Sequence, residues 1–127
     1  MRSTGDRRAY FTAVRSALQA WSRQEEAPAG TESWRAFGER VVAAANDICA
    51  GLEPSAAVLV VTSGGVIGRL VAAALNADSE AAIQLNLQTR NTGITEIIRG
   101  RSVARLLAFN AIPHLEQPDR AHAVTHS

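Results

Sequence analysis

Ala57-Val58-Leu59-Val60-Val61-Thr62-Ser63-Gly64-Gly65-Val66-Ile67-Gly68-Arg69-Leu70 decides the reading of this chain. Val58 to Val61 are apolar at every position, the pattern of a strand buried on both faces, as in a parallel α/β sheet. Gly64 and Gly65 allow a sharp turn and a close approach of bare backbone. Val66 to Leu75 then carries Ile67, Leu70, Val71 and Ala74 at helical spacing. The start of that helix offers free N–H groups and the positive end of the helix dipole, which suits an anion such as phosphate. Two readings stand at this point: an anion seat formed by Ser63, Gly64 and Gly65, or a glycine turn that strand-to-helix geometry alone requires.

Outward from this stretch, Arg7 to Gln24 reads as a helix, with Tyr10, Phe11, Val14, Ala17, Leu18 and Trp21 on one face. Glu25 to Gly30 reads as a linker. Thr31 or Ser33 is placed to cap a second helix, with Glu32 near its positive end. Its apolar stripe is Trp34, Phe37, Val41, Ala44, Ala45 and Ile48. Gly51 is expected in a left-handed cap, and Pro54 stops the helix. Downstream, Asp78 or Ser79 is read as the cap of a short helical turn. Ile94–Ile98 and Ser102–Asn110 are read as a hairpin joined by Arg99-Gly100-Arg101. Trp21, Trp34 and Phe37 are assigned to the core.

The 127 residues are enough for one domain, which is assigned to residues 1–115, with a polar, mobile tail at 116–127. Net charge is +1, so no strong field argues for nucleic acid or anionic lipid, and neither is expected as a partner. All basic residues are arginine. No signal-peptide core or bilayer-length apolar run is present, so the expected location is the cytoplasm. Cys49 is the single cysteine, which excludes an internal disulfide and reads as an inert, buried thiol. His122 and His126 are four residues apart without further ligands, so no metal site is expected.

The same stretch resembles a signature of the histidine phosphatase superfamily, the phosphoglycerate-mutase-like proteins, in which the strand ends in Ser/Thr-His-Gly-Gly. Three flanking segments extend the resemblance in order: Glu32-Ser33-Trp34-Arg35-Ala36-Phe37 with Arg40-Val41, Leu85 to Thr95, and Phe109-Asn110-Ala111-Ile112-Pro113-His114-Leu115. The resemblance implies a three-layer α/β/α domain, here a partial one with one parallel-type core strand and a C-terminal β-hairpin. It implies phosphomonoester hydrolysis or phosphoryl transfer through a phosphohistidine, with no cofactor. It places Ser63, Gly64 and Gly65 against phosphate or a phosphorylated small molecule, and Asn91 and Thr95 beside the site. Arg90 reads as a solvated side chain and His114 as a structural hydrogen-bonding group.

The family's Arg-His-Gly, which carries the nucleophilic histidine, occurs nowhere in these residues; the only histidines are His114, His122 and His126. Ser63 stands at the second family histidine. The chain is therefore expected to be a truncated or degenerate histidine phosphatase with impaired turnover. The alternatives are a non-enzymatic interaction module and a small anion-binding domain. A central strand without a neighbour leaves backbone groups unpaired, so a weakly stable monomer, a homo-oligomer or a partner chain at the open strand edge is expected.

Overall fold

In the computed structural model, which describes residues 4–126, the order of elements is helical first and hairpin last. Helices α1 (Thr4–Arg23), α2 (Trp34–Ala50), α3 (Gly64–Ala74) and α4 (Ser79–Gln88) precede strands β1 (Ile94–Arg99) and β2 (Ala104–Ala111). Short 3-10 helices follow at Pro113–Leu115 and Pro118–Ala123. The class is mixed helix and strand, as the periodicities imply.

Local chemistry explains the helix boundaries. Ser33 caps α2 by accepting from the Ala36 N–H at 3.1 Å, and Asp78 caps α4 by accepting from the Ala81 N–H at 2.9 Å. Each thereby satisfies one of the first-turn donors that no intrahelical carbonyl can reach. The segment read as a short helical turn is thus a full ten-residue helix. Gly51 does end α2, but at φ −89° rather than in the left-handed region. The left-handed residue of that loop is Ser55, at φ 67°.

The core lies where α3 and α4 pack. Trp34, Ala72, Ala82 and Ile83 form its buried cluster, with Leu18, Trp21, Leu85 and Leu87 against it. Gly68 permits the close approach: a Cβ there would lie 2.6 Å from the Ala82 carbonyl oxygen and 3.1 Å from the Asn86 nitrogen. Trp21, Trp34 and Phe37 stack as a cluster, with Trp21 and Trp34 edge to face at 5.0 Å. Trp34 also donates its indole N–H to Ser79 Oγ at 2.9 Å, tying α2 to the start of α4. On the outer side of α4, Glu80 accepts from Gln19 at 3.0 Å and meets Arg15 at 3.4 Å, joining it to α1.

Strands β1 and β2 pair antiparallel, from Arg99↔Ala104 through Ile97↔Leu106 to Ile94↔Ala111, with register shifts on either side of Glu96. They pair only with each other. The core strand expected at Val58–Val61 is absent from that sheet. Among the described residues, none from 57 to 62 makes a backbone hydrogen bond to another segment. A strand exists only through a ladder partner, and the hairpin spends its inner edges on itself. Of the tail, 118–123 wind into a 3-10 helix and Arg90 pairs with His126 in an antiparallel bridge. No helix among the described residues is long and apolar enough to cross a membrane.

Candidate functional site

Ser63 is the N-cap of α3, in extended backbone at φ −91° and ψ 162°. Its carbonyl accepts from the Ile67 N–H at 3.1 Å and opens the helix. Unlike Ser33 and Asp78, its side chain makes no cap hydrogen bond. The hydroxyl is therefore uncommitted, beside first-turn N–H groups that have no partner within the helix. Ser63 is exposed, Gly64 is buried and Gly65 is half-buried.

The structure revises the part played by the two glycines. They are the first two residues of α3, not a turn ahead of it, and neither has a positive φ. Packing does not demand a glycine at 65 either. A Cβ there would meet only Asn86 Nδ2 at 3.9 Å and Phe37 Cζ at 4.0 Å, ordinary contacts. What the missing side chain leaves is space beside the start of the helix.

Phe37 connects that space to a charged pair made by Arg40 of α2 and Glu32, just ahead of the Ser33 cap. The Arg40 guanidinium lies over the Phe37 ring, 5.5 Å from its centroid. Arg40 also forks onto the Glu32 carboxylate through Nε at 2.8 Å and Nη2 at 2.9 Å. This fork holds the Glu32 carboxyl below its ordinary range and raises the Arg40 pKa, chiefly through the shared hydrogen bond. Sequence reading gave Glu32 a dipole role and Arg40 only a place in a motif. Eight positions separate them, across a helix cap, so no short periodicity marks the pair.

Arg69, on α3, is a second cation that the sequence did not single out. Its guanidinium lies 4.6 Å from the Trp34 ring centroid and fills the place a Cβ of Gly38 would occupy. Nε is buried without a hydrogen-bond partner, and burial lowers the arginine's pKa. Gly38 is thus the complement of Arg69, a link visible only in three dimensions.

Asn91, Thr95, Arg90 and His114 assemble a separate cluster, and none of their hydrogen bonds reaches the Ser63 turn. The Asn91 N–H and side-chain amide bond Thr125 O and Oγ1, each at 2.9 Å. Thr95 Oγ1 accepts from the Asn110 N–H at 3.2 Å, and Asn110 Oδ1 accepts from the Arg90 N–H at 2.8 Å. His114 Nε2 and Thr92 Oγ1 share a hydrogen bond at 2.8 Å, and Arg120 donates to the His114 carbonyl at 2.8 Å. These bonds fasten the 90–95 loop to β2 and to the tail. A shallow groove of about 660 Å³ lies among Asp6, Arg7, Tyr10, Phe11 and His126, with no residue of the Ser63 turn in its lining. Cys49 is a half-buried free thiol. Among the described residues, no group of three or more histidine, cysteine, aspartate or glutamate side chains is placed to hold a metal.

Compared with known protein families, residues 5–112 match the histidine phosphatase superfamily (branch 1). Neither a curated protein nor a solved structure matches the chain.

Proposed function

We propose, from the premise that this chain belongs to the histidine phosphatase superfamily, that it keeps the phosphate seat of that family without the means of turnover. Ser63, Gly64 and Gly65 are the proposed ligands, with the Ser63 hydroxyl and the first amides of α3 donating to phosphate or a phosphorylated small molecule. The supporting observation is the uncommitted Ser63 side chain at the start of α3, on the segment that resembles the family's Ser/Thr-His-Gly-Gly.

Impaired turnover follows from what these side chains can supply. Phosphoryl transfer to a side chain needs a nucleophile held in line and cations around the equatorial oxygens. A serine hydroxyl donates one hydrogen bond but no imidazolium charge. Losing such a donor to the transition state costs roughly 100- to 1000-fold. Among the hydrogen bonds of the three histidines, none reaches Ser63.

Phosphate titration followed by amide NMR tests the seat, and a chromogenic phosphate ester tests turnover. The expected result is movement of the Ser63–Val66 amides with no hydrolysis above a mock preparation. Still amides at millimolar phosphate would remove the seat. Robust hydrolysis by the pure chain would remove the claim of impairment.

A further inference from the structure

The solvent face of the hairpin is mostly apolar. On β1, the exposed Ile94, Glu96 and Ile98 alternate with half-buried Thr95 and Ile97. Across from them, the exposed Val103, Arg105 and Leu107 alternate with half-buried Ala104 and Leu106. Ile98 lies directly opposite Arg105, and directly opposed residues share a face. The two strands therefore present six exposed side chains on one face. Ile94, Ile98, Val103 and Leu107 are each 50–57% exposed.

Two charges of opposite sign stand in that face. Neither Glu96 nor Arg105 has a hydrogen-bond or ion-pair partner among the described residues. Register fixes their places. Glu96 is two residues from Ile98 along β1, about 7 Å, and β2 runs about 5 Å away. Leu107 is the extra residue of the register shift beside Glu96, which pairs with Ala108. Glu96, Ile98, Arg105 and Leu107 thus mark the corners of a rough rectangle. The charges occupy one diagonal, Ile98 and Leu107 the other.

We infer that two copies of this chain stack hairpin on hairpin about a two-fold axis along the Ile98–Leu107 diagonal. Such an axis, lying in the interface, carries Glu96 of each copy onto Arg105 of the other. It leaves Ile98 over Ile98 and Leu107 over Leu107. The other symmetric stackings fail on charge. Axes along or across the strands set each charge on an apolar side chain, and the second diagonal sets glutamate on glutamate and arginine on arginine. The diagonal axis crosses the strands of the two copies steeply, as in the orthogonal class of sheet packing. The face is therefore its own complement in shape class and in charge. Its size fits as well. The four aliphatic side chains offer about 400 Å² of exposed surface per copy, and the two charged ones bring the patch to roughly 600 Å². Two such faces bury about 1,200 Å², the lower bound of a stable interface.

Sedimentation of the full chain tests the inference. At about 50 µM the expected mass is twice the 13.5 kDa of one chain. Glu96→Arg and Arg105→Glu, both at exposed positions, are each expected to weaken association at least about tenfold, because like charges then face each other. The helical circular dichroism of both is expected to stay intact. An equimolar mixture of the two variants is expected to regain the double mass, since each carries the sign that the other lacks. The double variant Glu96→Arg/Arg105→Glu is expected to regain it alone. A single-chain mass for the unaltered protein overturns the inference. So does a dimer indifferent to either reversal, which places the contact on another surface, and so does a mixture that stays at the single-chain mass.

Discussion

Val61 and Val71 are the same side chain ten positions apart, yet the first is 92% exposed and the second wholly buried. Both sit in uncharged apolar runs on either side of the Ser63 cap. Val71 belongs to a helix, whose backbone bonds are satisfied locally, so its apolar stripe needs only a neighbouring surface, and α4 is within reach ten residues on. Val61 belongs to a would-be strand, whose backbone bonds must come from elsewhere, and no described segment supplies them. Burial here follows the availability of a partner rather than the hydrophobicity of the residue.

Truncating one buried and one bare side chain breaks the comparison most sharply. Ile83→Ala, at a fully buried core position, is expected to cost about 2–5 kcal/mol. That is a large part of the roughly 5–15 kcal/mol that holds a domain together. Val61→Ala, measured on the monomer by chemical denaturation, is expected within about 0.5 kcal/mol of wild type. Comparable losses at the two positions would mean that 57–62 is covered within the protomer.

Two glycines one turn apart on α3, both facing Asn86, sharpen the contrast at a smaller scale. Gly68→Ala drives a Cβ against the Ala82 carbonyl of α4, where backbone must move, and is expected to cost about 1–3 kcal/mol. Gly65→Ala meets only ordinary contacts and is expected to leave the melting temperature unchanged or slightly raised. A Gly65→Ala loss as large as that of Gly68→Ala would place close-packed structure at the proposed phosphate seat.

The smallest effect separates caps that are made from one that is not. Asp78→Ala removes the bond to the Ala81 N–H and is expected to cost about 1 kcal/mol. Ser63→Ala removes no cap bond and is expected to change stability by less than about 0.5 kcal/mol, while weakening phosphate-induced shifts. Equal losses in thermal denaturation would show that the Ser63 hydroxyl serves the helix rather than a ligand.

Much of this molecule was legible because helices are written locally. The stripe from Tyr10 to Trp21, the Ser33 and Asp78 caps and the turn at Gly100 all follow from residues within a few positions of each other. The four motif segments placed the chain in its family for the same reason: each is short and contiguous. The region around Gly65 was only half legible. Ser63 and the glycines announce themselves, but Phe37, Asn86 and the Glu32–Arg40 fork come from other elements. The match of Arg69 to Gly38 joins positions with no pattern between them.

The amino-acid order alone settled which residues wind into helices, where those helices start, and that β1 and β2 form a hairpin, because each depends on bonds closed within a short length of chain. It also settled that 58–61 is apolar enough to be a strand. Tertiary structure alone decided that this segment has no ladder, that Gly68 rather than Gly65 is the sterically required glycine, and that Asn91 and Thr95 bind the tail and β2 rather than Ser63. These outcomes turn on which distant surfaces meet, and a strand, unlike a helix, cannot satisfy its own backbone.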